Sequence, residues 1–574
     1  MKKAMLMCLS IVLARSGAAV ADPVQSADDV CAPAADPCVI STTVEVDSAY
    51  PLDFGLRTVR VSFSGELRGS LDLSCGAFEA EPGNTWMTVL SPDIVGDVTI
   101  TASRGCSLDA GTPCLTDTAC SDLGLGTCSA GDGGIRIAGD FTGNASGLML
   151  RAAGDIALEG KISAPGKPPV SDGGTIYIES TLGSVESASL VDVNAGINDY
   201  YGGPGAGGSV TIRAAGDVTL RNHIYATGGY AQIEVDAGND IFVLANIFAQ
   251  GRYGADSLGG TIDLAAGRDL EIVRDPELSR PVLNMSGGWK KGGYYGVTYG
   301  GPGGYGFLRA GGDLIAGDKA LLWGDSGQSK GATDTSPLSG DWYFEAGDDI
   351  SMDSTVLARA WGRYGYSLHG VSMDAGDAIH LGRHGRISVN GARSGEVNLF
   401  SANEGPISID GRINVTGRKI PATYGGNAYG YGGNVSVYGG DISIAGQIRN
   451  GGPEGCGDMS FNGCRLLVKS GGKIDAAVGK QYDGGNSNFF SMRETVHVES
   501  GGSIRAAASG FHSIFYREGN PPVLDGLVTP APSLFPQAGT GCPVCGNNEI
   551  DYAETCDDGN TAAGDGCDGM CLIE

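Results

Sequence analysis

The segment GGTIDLAAGRDLEI, residues 259–272, carries the pattern that decides the fold of this chain. Apolar and polar residues alternate in its first half, a turn with Gly267 and Asp269 follows, and a second alternating run then begins. A period of two residues is typical of a β-strand with one buried face, so the segment predicts a strand, a turn and a second strand. Related segments are SGLMLRAAGDIAL (146–158), GGSVTIRAAGDVTL (207–220) and GGNVSVYGGDISI (432–444).

These segments recur about every 30 residues along most of the chain, which is the period of a stacked repeat protein. A third short apolar run, residues 282–285, completes one turn of the repeat. The sequence therefore predicts an all-β fold, a single-stranded parallel β-helix that has three strands per turn and is right-handed. Residues predicted to face its core include Ile212, Val218, Ile262, Leu264, Leu270, Val435, Val437, Ile442 and Ile444.

One turn position of the repeat is usually an aspartate. We interpret this column as a ladder in which each carboxylate accepts hydrogen bonds from turn amides. A ladder of calcium ions is the alternative. The residues concerned are Asp155, Asp217, Asp240, Asp269, Asp313, Asp349, Asp377 and Asp441.

The composition agrees with a folded, exported solenoid. Glycine accounts for 97 of the 574 residues without a triplet period, which excludes collagen, and a hydrophobic content of 41% argues against a disordered chain. The formal net charge of −28 argues against nucleic acid and anionic membranes as partners. Cations, neutral glycans and basic protein surfaces remain open.

The N-terminus resembles a secretory signal peptide. Lys2 and Lys3 precede an apolar stretch that ends in the small-residue pattern Ala19-Val20-Ala21, so we predict cleavage before Asp22 and a secreted or cell-surface protein. No later run of eighteen apolar residues suggests a membrane span. The predicted divisions are a signal peptide (1–21), an N-terminal cap with the first rungs (22–105), a four-cysteine insertion (106–128), the parallel β-helix body (129–519), a proline-rich linker (520–541) and a cysteine-rich module (542–574).

The clustered cysteines of an exported chain predict disulfides. The insertion at 106–128 lacks histidine, so two disulfides are favoured there over a zinc site. Two clusters hold odd numbers of cysteines, so we expect Cys75 to reach the second cluster or, as the alternative, Cys542 to be free or intermolecular. The predicted disulfide cysteines are Cys31, Cys38, Cys75, Cys106, Cys114, Cys120, Cys128, Cys456, Cys464, Cys545, Cys556, Cys567 and Cys571.

The C-terminal stretch CGNNEIDYAETCDDGNTAAGDGCDGMC, residues 545–571, has a specific spacing. It resembles the Myxococcus cysteine-rich repeat family, which implies a small extracellular disulfide module without enzymatic activity. Its oxygen-rich side chains would suit Ca²⁺, whereas capping of turns by the same side chains is the alternative. The candidate calcium ligands are Asp557, Asp558, Asn560, Asp565 and Asp568; no other cofactor is predicted.

Several loops rich in tyrosine and glycine precede the first strand of a repeat. They should therefore leave the rod at one corner and stack into a ridge. Aromatic faces with polar tips suit sugars, although packing of the loops against each other would also explain them. The residues of this predicted glycan ridge are Tyr200, Tyr201, Tyr253, Tyr294, Tyr295, Tyr299, Tyr305, Trp361, Tyr364, Tyr366, Tyr424, Tyr429 and Tyr431.

An enzymatic alternative comes from the β-helix enzymes that degrade pectin, which need paired acids or an acid-bound calcium. The Gly-His-Gly and Arg-x-Lys signatures of polygalacturonases are absent. No catalytic residue is assigned, because two of the nearest candidates already belong to the repeating turn position. The weak constellation considered is Asp348, Asp349, Asp374, Asp377, His369, His380 and His384.

The stacked repeats also look like haemagglutinin-type adhesin repeats. The sequence therefore favours a secreted or cell-surface protein that binds rather than transforms, with an extracellular glycan or a surface protein as partner. A polysaccharide lyase or hydrolase and a purely structural envelope rod are the alternatives.

Overall fold

A computed structural model of the chain describes residues 22–83, 85–89, 97–109, 111–166, 172–196, 205–252, 257–276, 280–290, 299–327, 338–360, 370–391, 394–417, 430–452, 455–476, 487–506, 510–538 and 542. The described residues are almost entirely β-strands and the turns that join them. None of the helices in this part of the chain is long and apolar enough to cross a membrane.

The elements are numbered in chain order. They are α1 (Ala27–Val30), β1 (Cys38–Ile40), β2 (Thr43–Val46), β3 (Leu52–Asp53), β4 (Thr58–Val61), β5 (Glu66–Gly69), β6 (Leu71–Cys75), β7 (Ala77–Ala80), β8 (Thr85–Thr88), β9 (Val98–Ala102), β10 (Arg104–Cys106), β11 (Pro113–Cys114), α2 (Asp117–Ser121), β12 (Cys128–Ala130), β13 (Ile135–Ile137), β14 (Asp140–Thr142), β15 (Gly147–Ala152), β16 (Ile156–Leu158), β17 (Ile162–Ser163), β18 (Thr175–Ser180), β19 (Val185–Ser187), β20 (Val191–Asp192), β21 (Ser209–Ala214), β22 (Val218–Leu220), β23 (Ile224–Tyr225), β24 (Gln232–Ala237), β25 (Ile241–Val243), β26 (Ile247–Phe248), β27 (Thr261–Ala266), β28 (Leu270–Ile272), β29 (Val282–Asn284), β30 (Trp289–Lys290), β31 (Tyr299–Gly300), β32 (Tyr305–Ala310), β33 (Leu314–Ala316), β34 (Leu321–Trp323), β35 (Asp341–Ala346), β36 (Ile350–Met352), β37 (Thr355–Arg359), β38 (Gly370–Ala375), β39 (Ile379–Leu381), β40 (Arg386–Asn390), β41 (Glu396–Ser401), β42 (Ile407–Ile409), β43 (Arg412–Thr416), β44 (Asn434–Tyr438), β45 (Asp441–Ile444), β46 (Gln447–Gly451), β47 (Met459–Val468), β48 (Lys473–Asp475), β49 (Ser487–Val498), β50 (Ser503–Arg505), β51 (Phe511–Arg517), β52 (Val523–Leu524), β53 (Leu527–Thr529) and β54 (Ser533–Gln537).

Three strands make one coil, as β27, β28 and β29 do. Each pairs in parallel with its counterparts in the coils before and after: β27 with β24 and β32, β28 with β25 and β33, and β29 with β26 and β34. We call these three columns the first, second and third face. They extend from β3 to β54, from β1 to β52 and from β2 to β53, respectively. The predicted parallel β-helix with three strands per turn is confirmed.

The alternation of the sequence fixes which side chains face the core. In β27, Ile262 and Leu264 point inward and are fully buried, and all nine residues predicted to face the core are at most 1% exposed. Burial of an aliphatic side chain of this kind contributes about 1.5–3 kcal/mol. One continuous apolar cluster therefore runs along the inside of the coils.

One inward position departs from this aliphatic column. In the first-face register Ile262 is followed by Gly306 and then by Trp342, whose side chain is fully buried. A Cβ atom on Gly306 would lie 2.2 Å from Cε3 of Trp342. Glycine in one coil thus makes the space that the indole of the next coil occupies.

Most of the turn aspartates between the first and second faces form the predicted ladder, whereas Asp377 and Asp441 accept hydrogen bonds from side chains of the next coil, Asn403 and Arg465. Asp240 Oδ1 accepts a hydrogen bond from the backbone N–H of Asp269 (3.1 Å), and Asp269 Oδ1 accepts one from that of Asp313 (2.9 Å). The same bond joins Asp313 to Asp349 (3.1 Å). The acceptor therefore serves the turn of the next coil rather than its own turn, so each carboxylate ties two coils together.

The cysteine-rich insertion and the N-terminal cap contain disulfides. Bonds Cys106–Cys120 and Cys114–Cys128 join α2 and the small antiparallel sheet of β10, β11 and β12, as predicted. A third bond, Cys31–Cys38, links the segment after α1 to β1. Covalent links here stabilise short elements that bury little apolar surface.

Three cysteines predicted to form disulfides are free thiols in this structure: Cys75, Cys456 and Cys464. The prediction of a disulfide from Cys75 to the cysteines of 106–128 is wrong, because those four cysteines pair with each other. Cys75 lies on β6 and is buried in the core of the rod. Burial raises the pKa of the Cys75 thiol. Cys456 and Cys464 do not bond to each other, because their sulfurs contact different partners: Cys456 donates to the carbonyl oxygen of Ala476 (2.6 Å), and Cys464 Sγ lies 3.1 Å from Arg493 Nη2.

The prediction of a proline-rich linker at 520–541 is also wrong. Strands β52, β53 and β54 lie in this segment and continue the second, third and first faces. The strands were not recognised in the sequence because each is short and the segment contains five prolines. Pro536 lies within β54, which among the described residues pairs only with β51, and a strand at an edge tolerates a residue without an N–H donor.

Candidate functional site

The loops rich in tyrosine and glycine all connect a third-face strand to the next first-face strand. The segment between β26 and β27 is one example, and that between β43 and β44 is another. The strand order therefore places both ends of each of these loops at one corner of the coil, and their stacking into a ridge stays a prediction. Ten of the predicted ridge residues lie outside the described residues: Tyr200, Tyr201, Tyr253, Tyr294, Tyr295, Trp361, Tyr364, Tyr366, Tyr424 and Tyr429.

The other three ridge residues lie at this corner. Tyr305 begins β32 and is 52% exposed, and Tyr431, just before β44, is 41% exposed. Tyr299 belongs to β31, whose backbone pairs in antiparallel fashion with β30. The corner also contains Tyr230, which was not predicted: it precedes β24, has a φ of 58° and is 76% exposed.

Glycine pairs allow the backbones of successive coils to approach closely at this corner. A Cβ on Gly260 would lie 2.2 Å from the carbonyl oxygen of Ala231 in the preceding coil. This contact explains the Gly-Gly that precedes the first-face strand in several repeats. Because the glycines have no side chains, the neighbouring side chains project above the backbone at this corner.

Between Tyr230 and Tyr305 there is an open depression of about 330 Å³. Leu258 and Leu338 add apolar walls, and backbone atoms of Gly259 to Thr261 form part of the floor. Both tyrosines and Leu338 are exposed. The depression therefore offers aromatic faces next to backbone hydrogen-bonding groups.

An aromatic stack leads from this corner onto the outer surface of the first face. The ring centroids of Tyr305 and Phe307 are 6.5 Å apart, and those of Phe307 and Tyr343 are 5.1 Å apart with ring planes only 10° from parallel. Phe307 and Tyr343 are outward residues in register on β32 and β35. The three rings extend across two coils.

Carboxylates border this aromatic track. Glu345 and Asp374 are exposed outward residues in register on β35 and β38. Partial desolvation of its carboxyl group, together with the neighbouring charge of Glu345, raises the pKa of Asp374 although the residue is exposed. Beyond Tyr343 a shallow cleft is lined by polar groups, including Ser372 and Asn398. Aromatic rings, amides and carboxylates are thus gathered on one face.

The candidate catalytic constellation is not assembled among the described residues. Asp349 accepts the backbone N–H of Ala378 (2.8 Å), and Asp377 accepts the side-chain amide of Asn403 (3.0 Å), so both serve turns. Asp374 alone faces outward on the first face, and Asp348 is an exposed turn residue. His369 lies outside the described residues.

The two described histidines of the constellation point elsewhere. His380 lies on β39 of the second face and hydrogen-bonds Ser408 of the next coil. His384 Nδ1 lies 3.1 Å from Asp353 Oδ2 and 3.8 Å from Asp318 Oδ1, beyond the second face. Neither ring is on the strands that carry Asp374.

Two clusters of potential metal ligands occur among the described residues. Cys106, Cys114 and Cys120 are consumed by disulfides. Asp318, Asp353 and His384 place ligand atoms within 4.8 Å of one another, but they are exposed or partly so, and Asp353 Oδ1 already accepts the backbone N–H of His384 (2.8 Å). Turn capping accounts for this second group. The calcium ligands predicted in the C-terminal module lie outside the described residues.

Comparisons with protein-family models, with curated proteins and with solved structures found no match to this chain.

Proposed function

We propose that this chain is a secreted or cell-surface β-helix that binds a polysaccharide along the aromatic track from Tyr230 to Tyr343. The observation that supports the proposal most strongly is the stack of the exposed Tyr305 with the half-buried rings of Phe307 and Tyr343, which continues the depression at the corner. A stack across two coils matches an extended ligand better than a small one. The neighbouring carboxylates and amides supply hydrogen-bond acceptors and donors.

The physical argument rests on the chemistry of sugars. A pyranose ring has apolar C–H faces that pack on aromatic rings, and hydroxyls at its edge that need polar partners. Glu345 and Asp374 accept hydrogen bonds from hydroxyls, whereas Asn398 can both donate and accept. Since the chain carries a net charge of −28, a neutral glycan fits this surface better than a polyanionic one.

We expect the double change Tyr305→Ala and Tyr343→Ala to weaken polysaccharide binding at least about tenfold, or ~1.4 kcal/mol, because both stacking platforms are removed. Affinity electrophoresis and a glycan array with neutral polysaccharides measure this loss. Tyr50→Ala is the matched control, since Tyr50 is also exposed (39%) but lies before β3, far along the coils. Binding that survives the double change while the fold is intact would refute the proposal.

A polysaccharide hydrolase or lyase is the second candidate, supported by the in-register pair Glu345 and Asp374 beside Tyr343. A carboxyl group with a raised pKa is suited to donate a proton, and its neighbour can remain charged. Release of reducing ends or unsaturated uronides by the purified protein, lost in Asp374→Asn, would favour this candidate. If no glycan binds, a purely structural envelope rod becomes the better explanation.

A further inference from the structure

Two thiols meet where the last coils of the rod approach the start of the cysteine-rich tail. Cys464 lies within β47 and is 6% exposed, and Cys542 is 8% exposed although it follows β54, the last strand in the described part of the chain. A side-chain hydrogen bond joins the two thiols. They are separated by more than seventy residues of sequence, so this contact belongs to the tertiary structure.

A β-bulge builds the surroundings of this pair. Gly463 is opposite Met492, but Arg465 is opposite Thr495. Two residues of β49 therefore lie opposite a single residue of β47, Cys464. These two residues are Arg493 and Glu494. The bulge therefore directs one cation and one anion of β49 towards the position of Cys464.

Each of these side chains contacts one of the cysteines. Arg493 Nη2 lies 3.1 Å from Cys464 Sγ, and the backbone N–H of Cys542 donates to Glu494 Oε1 at 3.4 Å. Glu494 is fixed by Arg517, whose Nη1 lies 2.8 Å from its Oε1. The backbone of Cys542 is thus attached to the rod at the same bulge that contains Cys464.

The electrostatics of the pair are asymmetric. The hydrogen bond from Cys542 and the charge of Arg493 hold the pKa of Cys464 below its usual range. The pKa of Cys542 is raised, first by this hydrogen bond and then by burial. Since the thiolate is the nucleophile in disulfide exchange, the Arg493 guanidinium 3.1 Å from Cys464 Sγ favours Cys464 as the attacking cysteine.

We propose that Cys464 and Cys542 form a disulfide that fixes the cysteine-rich tail to the rod at the β47–β49 bulge. The oxidant is a disulfide-bearing compound or protein. The Cys464 thiolate attacks one sulfur of this disulfide, and the first thiolate leaves. Cys542 then loses its proton and attacks the Cys464 sulfur of the mixed disulfide, which expels the second thiolate. Two electrons and two protons pass from the cysteines to the oxidant, which becomes two thiols.

This bond also accounts for the odd number of cysteines in the tail. The tail cluster contains Cys542 and four cysteines that match the repeat motif, so one cysteine has no partner within the cluster. With Cys542 bound to Cys464, the four motif cysteines can pair among themselves. Cys75 stays buried, and Cys456 remains a thiol that donates to the carbonyl oxygen of Ala476 (2.6 Å).

Tryptic mapping of the full chain and of its cysteine variants tests whether Cys456 or Cys464 is the partner of the tail. Cleavage after Arg449 and Arg465 gives a peptide 450–465 that contains Cys456 and Cys464. The last basic residue is Arg517, so one peptide, 518–574, contains all five tail cysteines. The protein is refolded with reduced and oxidised glutathione, denatured, alkylated without reductant and then digested.

We expect the wild-type digest to contain peptides 450–465 and 518–574 joined by a bond that reduction breaks. Cys456→Ser should retain this cross-link, whereas Cys464→Ser and Cys542→Ser should lose it. In Cys464→Ser the tail peptide should gain one alkylated cysteine, Cys542. Cys75 serves as an internal control, because it is an unpaired thiol in this structure and should be alkylated in every denatured sample.

Two outcomes would overturn the proposal. One is alkylation of both Cys464 and Cys542 in the wild-type protein without any cross-linked peptide. The other is a cross-link that persists in Cys464→Ser and disappears in Cys456→Ser. Fragmentation of the wild-type cross-linked peptide by tandem mass spectrometry assigns the bond to Cys464 and Cys542 without a substitution. A variant that fails to fold therefore does not affect the test, and glycan binding is not part of the readout.

Discussion

Gly306→Val is expected to destabilise the β-helix by about 3 kcal/mol, at the upper end of the cost of overpacking a core. The new side chain would begin 2.2 Å from Cε3 of Trp342, and the indole is fully buried and cannot swing into solvent. Because both residues belong to continuous parallel ladders, neither backbone can retreat without breaking hydrogen bonds to its neighbours. The clash must therefore be relieved by distortion of the core.

A compensating change tests this explanation. Trp342→Val alone should leave a cavity and cost about 3 kcal/mol or more. The double variant Gly306→Val and Trp342→Val rebuilds the aliphatic column between Ile262 and Val371, so we expect a favourable coupling of about 2 kcal/mol. Urea midpoints followed by circular dichroism measure these differences.

Ile262→Val is the matched control for Gly306→Val. It changes the same column, in the adjacent coil, by one methylene and should cost about 1 kcal/mol. Additive effects of the two changes at Gly306 and Trp342 would contradict the proposed exchange of space between coils. A Gly306→Val protein as stable as the wild type would contradict it as well.

The sequence predicted the repeated coil because alternation is a local signal. The pattern of 259–272 is sufficient to place Ile262 and Leu264 inside, and the structure agrees. The strands of 520–541 were missed since β52 has only two residues and β53 only three, too few to alternate. Their positions are set by pairing with β49 and β50 instead.

The candidate site was only partly predictable. The corner followed from the position of the loops before each first-face strand, but Phe307 and Tyr343 lie within strands and were not singled out. Aligning YGFLRA (305–310) with DWYFEA (341–346) places these two rings in register, so the signal was present. The free thiol of Cys75 was not predictable from cysteine counts, because its burial depends on the register of β6.

Asp240→Ala should destabilise the protein by about 2–3 kcal/mol, since it removes one step of the aspartate ladder. The Asp240 carboxylate accepts the backbone N–H of Asp269 (3.1 Å) and Nε of Arg268 (2.7 Å), and the residue is only 6% exposed. In this variant the backbone N–H of Asp269 would lose its hydrogen-bond acceptor at a partly buried turn. Asp240→Asn should cost less, about 1 kcal/mol, because its amide oxygen can still accept that N–H.

The difference between the wild type and Asp240→Asn should depend on pH. The hydrogen bond from the Arg268 guanidinium holds the pKa of Asp240 below its ordinary value of 3.8. The folded protein then binds fewer protons than the unfolded chain, so the carboxylate stabilises the fold above about pH 4. This contribution is lost as the pH falls through the lower, folded-state pKa. Exposure of Arg268 (65% of its side chain) screens the pair and keeps the contribution modest.

Urea unfolding at pH 7 and at pH 3 tests both parts of this prediction. The difference in the free energy of unfolding between wild type and Asp240→Asn should be largest at pH 7 and smaller at pH 3. The difference between wild type and Asp240→Ala should persist in part at pH 3, because a protonated carboxyl group still has an acceptor oxygen. Glu271→Gln, on the neighbouring strand β28, should change stability by less than about 0.5 kcal/mol at either pH. If the gap to Asp240→Asn were instead wider at pH 3, the charge of Asp240 would not stabilise the ladder, and the turn aspartates would need another explanation than the bonds between coils.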